Sequence, residues 1–315
     1  MAVSTELRVV LFVGGVGGAK LADGLSRCLP PGALRIVVNV GDDFRRYGLK
    51  ICPDSDTVLY TLAGRVDPVN GWGVAGDTST VLQALVEMGD DAWFRLTDND
   101  LATHMYRTQR MADGATLTQV TAELVSAMGV DIDILPVTDA PVPTRVLTAD
   151  YGELDFQEYF VRYRWQPEVK FVRYVGAEDA SVTAEVAAAI DWATCIVLAP
   201  SNPWLSIGPI LAVGDMRERL LARDVPRVAV TPIIDGKAVK GPAAKLMAEQ
   251  GLEVSGRSVA DFYGALLTDF IDDVRNPIFA RDGMNVVQRD TLMLEPTDRM
   301  RFASELIGYI GEQIR

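Results

Sequence analysis

Four aspartates crowd into one short stretch: Asn39-Val40-Gly41-Asp42-Asp43 is followed closely by Pro53-Asp54-Ser55-Asp56-Thr57. Carboxylates this concentrated repel one another unless a cation lies among them. Oxygen-only ligation selects Mg²⁺, Ca²⁺ or Mn²⁺ rather than zinc. The blander readings are a solvated turn for Asp42 and Asp43, and the N-cap of a helix starting near Thr57 for Asp54 or Asp56. Upstream, Gly14-Gly15-Val16-Gly17-Gly18-Ala19-Lys20 joins an apolar run to a helical pattern. Glycines there let a backbone approach a ligand closely or adopt φ > 0, Gly17 included, and a helix N-terminus favours phosphate. A tight strand-to-helix turn explains the same residues. The loop is not the dinucleotide fingerprint, because Lys20 stands where the third glycine belongs, and it is not a P-loop.

Downstream, Ala199-Pro200-Ser201-Asn202-Pro203, Ser206-Ile207-Gly208-Pro209-Ile210 and Thr231-Pro232-Ile233-Ile234 each follow a short β-branched run. Ser201–Pro203 is also ordinary turn chemistry. His104 is the single histidine, so a Ser-His-Asp or Cys-His mechanism would rest on it alone. Its i,i+3 spacing from Arg107 puts the two on one helix face, which favours a satisfied structural histidine. Cys28, Cys52 and Cys195 fit neither a disulfide framework nor a metal site and read as packing residues.

The elements that must hold these residues read as a parallel α/β core. Arg8–Val13 and Leu34–Val40 are apolar runs of buried-strand type, separated by a helix over Ala19–Leu29. Cys195–Ala199 and Arg227–Thr231 suit further central strands. In a doubly wound sheet the loops after strand C-termini share one edge, where ligands bind. Thr78–Met88, Asp100–Met111 and Leu117–Met128 have helical periodicity. They mark residues 76–130 as a helical insertion subdomain, with 1–75 and 131–315 as the Rossmann-like α/β core. Val142–Arg164 alternates and suggests strands with a hairpin near Asp150–Gly152, and Asp298–Ile314 is an amphipathic helix.

The chain has 315 residues, 49% of them apolar, enough for a sizeable core. Its 30 basic and 43 acidic side chains give a net charge of −13. Phosphate backbones and anionic membranes repel such a chain, so neither nucleic acid nor membrane is an expected partner. No run approaches the roughly 20 apolar residues of a membrane helix, and the expected location is the cytoplasm.

The motifs together resemble the 2-phospho-L-lactate transferase family of coenzyme F-420 biosynthesis. The matching pieces are GGVGGAKLADGL (14–25), NVGDD (39–43), YGLKICPDSDTVLYTLAG (47–64), GWG with GDT (71–78), DNDLATHMYRT (98–108), APSNPWLSIGPIL (199–211) and TPIIDGKAVKGPAAKLM (231–247). They run in order over about three quarters of the chain. The resemblance implies a Rossmann-like α/β fold with a small helical subdomain, a homodimer, and Mg²⁺. It implies transfer of 2-phospholactate or phosphoenolpyruvate from a guanosine diphosphate donor to the terminal hydroxyl of the deazaflavin Fo. GMP leaves, and F-420-0 or its dehydro form results.

Carried over by motif, Asp42, Asp43, Asp54 and Asp56 hold the metal, and Asp42, Asp43 and Asp56 serve in catalysis. Gly14, Gly15, Gly17, Gly18, Lys20, Asn39, Ser201, Asn202 and Ser206 fall to the donor. Trp72, Asp77 and His104 fall to the acceptor, with a core role for Trp72 as the alternative. Val16 departs from the threonine of many relatives, and Ser79 from a bulkier aromatic. A nucleotide-sugar-binding regulator of the gluconeogenesis-factor type shares the glycine-loop core, but the paired NVGDD and CPDSDT segments favour the transferase. The absent third glycine, and the lack of an acid at ribose-binding distance, argue against an NAD dehydrogenase.

Overall fold

The computed structural model describes residues 7–314. β1 (Val9–Val13) runs through the glycine-rich turn into α1 (Val16–Cys28), and β2 (Leu34–Val38) follows. The hairpin β3 (Phe44–Arg46) and β4 (Leu49–Ile51) leads to α2 (Pro53–Leu62). Three helices come next: α3 (Thr80–Glu87), α4 (Asp98–Ala112) and α5 (Leu117–Ala127). β5 (Asp133–Pro136) precedes β6 (Thr144–Thr148), β7 (Gly152–Asp155) and β8 (Val169–Tyr174). α6 (Ala184–Trp192), β9 (Cys195–Leu198), α7 (Gly208–Ala212), α8 (Met216–Leu221) and β10 (Arg227–Val230) return the chain to the core. A small hairpin, β11 (Ile233–Ile234) and β12 (Lys237–Ala238), is followed by α9 (Ala243–Glu249) and α10 (Gly256–Tyr263). β13 (Asp269–Asp273), β14 (Asn285–Arg289) and α11 (Pro296–Gln313) close the chain.

Seven strands form one parallel sheet in the order β14-β13-β10-β9-β1-β2-β5. The fold is therefore α/β with helices on both faces, as the strand pattern implied. β1 shows why. Val10 and Phe12 enter the core under α6, α8 and α10, while Val9, Leu11 and Val13 enter the core under α1, α5 and α11. A strand whose two faces are both covered must be apolar throughout, and every residue of β1 is fully buried. α1 and α11 cross closely at Gly24, where a Cβ would lie 2.3 Å from the Arg299 carbonyl oxygen. Among the described residues no helix is long and apolar enough to cross a membrane.

The structure departs from the sequence pattern in several places. α2 begins at Pro53 rather than near Thr57, so Asp54 and Asp56 lie inside its first turn and do not cap it. Proline suits that position because its missing N–H is one a helix start leaves unpaired. The expected hairpin is β6–β7, turning over residues 149–151, but the chain then winds into a π-helix at Glu158–Arg162 instead of another strand. β13 and β14 were not expected at all. Asp269, Asp272 and Asp273 make β13 look polar, yet all three are buried.

Candidate active site

Chain order reverses between β1 and β9, since β2 and β5 lie on one side of β1 and β9, β10, β13 and β14 on the other. The crevice outside that pair of strand ends is where ligands bind in open α/β sheets. The glycine turn lies there, and its composition has a steric cause. An added Cβ would stand 2.3 Å from Ser206 Cβ at Gly14, 2.6 Å from Asp54 Oδ1 at Gly15, 2.7 Å from the Pro200 oxygen at Gly17 and 2.7 Å from Val13 Cβ at Gly18. None of the four has a positive φ. The φ > 0 expectation for Gly17 fails, and close approach of the β9 loop and α2 explains the glycines instead. The Gly14 N–H donates to Ser201 Oγ at 3.2 Å.

Asp54 and Asp42 form the centre. Asn39 Nδ2 donates to Asp54 Oδ2 at 2.9 Å, and Asn39 Oδ1 accepts from the Gly41 N–H at 2.7 Å. Asp42 and Asp54 are both buried, and each lies close enough to feel the other electrostatically. Burial raises both carboxyl groups; the charges of Asp54 and Asp43 push Asp42 further up, while at Asp54 the charge of Asp43 adds to burial and the Asn39 hydrogen bond opposes it. Gln157 Nε2 lies 3.3 Å from the Asp42 carbonyl oxygen and 3.4 Å from its Oδ2. Asp43 pairs with Lys50 Nζ at 2.8 Å and accepts from the Cys52 thiol at 3.1 Å. Asp42 Oδ1 and Asp43 Oδ1 are buried without a partner. Unsatisfied, buried carboxylate oxygens are the kind of donor a divalent cation takes, although Asp42, Asp43 and Asp54 do not converge as tightly as the group of Asp56, Asp100 and His104.

Asp56 faces elsewhere. Both terminal guanidinium nitrogens of Arg107 on α4 contact its carboxylate, one of them at 3.2 Å. His104 Nδ1 is 3.6 Å from Asp56 Oδ2, and its Nε2 is 3.2 Å from Asp100 Oδ2. Tyr60 donates to Asp100 at 2.7 Å. Arg107 and His104 are each only 1% exposed. Asp56, Asp100 and His104 cluster closely enough to hold an ion, but the Arg107 guanidinium already supplies the cation at that carboxylate. The structure therefore brings Asp42, Asp43 and Asp54 together and sets Asp56 and His104 in a buried network behind them.

The remaining sequence candidates divide between ligand-facing and structural positions. Asn202 Oδ1 accepts from the Trp204 and Leu205 N–H groups at 2.9 and 3.1 Å, starting a π-helix at Pro203–Ile207, while its Nδ2 is buried and unpartnered. Lys20 Nζ donates to the Met293 carbonyl at 2.8 Å. Asp77 accepts from the Asn99 and Asp100 N–H groups and so caps α4. Trp72 is 39% exposed and outside the core, which removes the core alternative for it. Its loop lies over the glycine turn: a Cβ on Gly71 would be 2.9 Å from Val16 Cγ1, and Lys240 Nζ donates to the Asn70 carbonyl at 2.7 Å.

Sequence reasoning missed Lys50, Gln157 and Lys240, and an aromatic wall that begins beside Asp43. There Phe44 meets Phe94 at 4.7 Å and Trp93 at 6.4 Å between ring centroids. The Trp93-Phe94 pair and the phenylalanine directly after NVGDD were the available signals.

Residues 9–291 match the family described as 2-phospho-L-lactate transferase CofD. The chain is 39% identical over 303 residues to the 2-phospho-L-lactate transferase of Methanosarcina mazei, covering 95% of this chain and 99% of that one. It is 41% identical over 276 residues to the phosphoenolpyruvate transferase of Thermobifida fusca, covering 84% and 85%. The protein of that name from Streptomyces griseus is 40% identical over 267 residues, covering 84% of each chain. A crystal structure of a UPF0052 family protein from Bacillus halodurans superposes with a TM-score of 0.63 at 15% identity, over 96% of this chain and 99% of that one. That likeness speaks to the fold alone.

Proposed function

The chain belongs to the 2-phospho-L-lactate transferase CofD family and is a transferase, and from that premise we propose that its acceptor is the deazaflavin Fo and its donor a guanosine diphosphate carrying a three-carbon acid. The terminal hydroxyl of Fo attacks the phosphorus that bears lactate or enolpyruvate. A new O–P bond forms, the bond to the bridging diphosphate oxygen breaks, and GMP leaves with that oxygen. The observation that carries this reading is the set of buried carboxylates Asp42, Asp43 and Asp54 at the foot of the glycine turn, with unpartnered oxygens on Asp42 and Asp43.

Asp42, Asp43 and Asp54 would hold Mg²⁺, which when bound neutralises charge on the donor phosphates. Asp42 and Asp54 are the candidates to take the proton of the attacking hydroxyl. Gly14–Gly18, Ser201 and Ser206 border the donor phosphates, and the ring of the acceptor has Trp72 and the Phe44–Trp93–Phe94 wall available to it. Asp56 and His104 position this centre rather than touch substrate, and Asp77 holds α4. We further assign residues 76–130 as an insertion, the cytoplasm as the location, and a homodimer as the assembly, which light scattering would read directly.

The test is a single assay series. Purified protein, Fo and Mg²⁺ are mixed with the lactyl or the enolpyruvyl guanosine diphosphate, and products are weighed by mass spectrometry. Conjugated Fo with release of GMP is the expected result. No conjugate with either donor overturns the reading.

A further inference from the structure

We propose that an open groove formed by the segment that follows Gln157 binds the flat heteroaromatic ring of one of the two substrates; this rests on the transferase reading above. The groove has a volume of about 660 Å³ and is lined by Phe160, Arg164, Trp165, Gln166 and Lys245. That size lies within the range of small-molecule sites. None of the residues assigned from the motifs lines it.

Three observations converge on it. First, Arg164 and Trp165 both hold φ near +50° (50° and 49°), although neither is glycine. Two successive residues in the left-handed region are costly, and such conformations gather at ligand clamps. Backbone bonds from Trp165 to Tyr159 at 2.8 Å and from Gln166 to Tyr163 at 3.0 Å hold them there. Secondly, the Arg164 guanidinium and the Gln166 amide have no side-chain partner among the described residues. In an acidic protein a free guanidinium beside two aromatic faces is equipped to stack on a ring and donate to its carbonyl oxygens. Thirdly, the same segment reaches the centre. Gln157, just before the π-helix, touches Asp42, and Phe160 lies 3.8 Å from where a Cβ on Gly241 would stand, next to Lys240.

The shared chemistry is a planar heteroaromatic with exocyclic oxygens, which describes both the deazaflavin and guanine. Trp165→Ala and Arg164→Ala, both at exposed positions, separate the two sources. Equilibrium titration of the full chain with Fo, and separately with GDP, is measured in Mg²⁺ buffer. A loss of affinity of about tenfold or more, the scale expected for one stacked ring, for Fo alone assigns the groove to the acceptor. The same loss for GDP alone assigns it to the donor base. Variants that melt like the wild type and bind both probes unchanged overturn the groove while leaving the transferase reading intact. A wild-type protein that binds neither probe and forms no conjugate overturns both.

Discussion

Asp54 and Asp56 stand two residues apart on the first turn of α2, and positions i and i+2 of a helix face different ways. Asp54 meets Asn39 and Asp42, while Asp56 meets Arg107 from α4. The second pair is an ion pair with both members buried, so removing either partner leaves an uncompensated charge and costs about 3–5 kcal/mol. Arg107→Met and Asp56→Asn should each lower stability on that scale. The double substitution should lose clearly less than the sum, as measured by denaturant unfolding in a double-mutant cycle. If Asp56 were instead a metal ligand, the cycle would be additive and Asp56→Asn would abolish thermal stabilisation by Mg²⁺. Gly17 supplies a second case. Its Cβ would sit 2.7 Å from a backbone oxygen that cannot easily move. Gly17→Ala should therefore cost roughly 1–3 kcal/mol through overpacking as well as weaken donor binding. A variant as stable as the wild type would show that the β9 loop can yield.

At the scale of elements, α3 and α4 cap each other across the chain. Asp77, before α3, accepts from the first amides of α4, and Asp98, in α4, accepts from Thr78 Oγ1 at 2.6 Å and from the Thr80 and Val81 amides at 3.0 and 3.1 Å. α3 has no buried residue, so little besides this cap and its contacts with α4 secures it. Bonds from Thr78 and the Val81 amide push Asp98 down to about 2. A depressed carboxyl contributes stability above its unfolded value near 4, and that contribution disappears as pH falls through about 2. Exchange of the Thr80 and Val81 amides, corrected for intrinsic rates, should accelerate between pH 4 and pH 2. Asp98→Ala should show fast exchange at every pH in that range; a slow, pH-independent exchange in both proteins would count against the cap.

The same helix shows what a sequence makes legible. Its periodicity reveals that a helix exists near residues 78–88, but the residue that caps it is 18 positions away from Thr80. The carboxylate cluster, the glycine turn and the strand ends were readable because each is contiguous. The division between Asp54 and Asp56 was not, because Arg107 lies 51 residues beyond Asp56. β13 was hidden for a related reason. Asp269 and Asp273 are polar letters in a buried strand, and only distant Tyr309, Asn285 and Thr291 reveal how they are satisfied.

On the scale of the whole molecule, the question is how a chain of net charge −13 binds an anionic donor. Charges spread over the surface are screened beyond about 8 Å at physiological salt, so the decisive ones are those in the crevice. Asp42, Asp43 and Asp54 are buried there, where screening is weakest. Lys50 offsets Asp43, and the Asn39 amide donates to Asp54. What remains is still negative, and it faces the place assigned to the phosphates. The carboxylates should therefore oppose the donor without metal and favour it with metal, which makes a prediction with two signs. In EDTA, the double variant Asp42→Asn/Asp54→Asn should bind GDP at least several-fold more tightly than the wild type. In millimolar Mg²⁺ the order should reverse, with the variant weaker by about tenfold or more, since a tenfold change is only about 1.4 kcal/mol of lost metal-mediated attraction. Calorimetric titration in both buffers reads this directly. Raising salt should narrow the EDTA difference only slightly, because the groups concerned are buried. If wild type and variant keep the same order with and without Mg²⁺, the aspartates do not face the donor phosphates, and the metal must be sought elsewhere in the crevice.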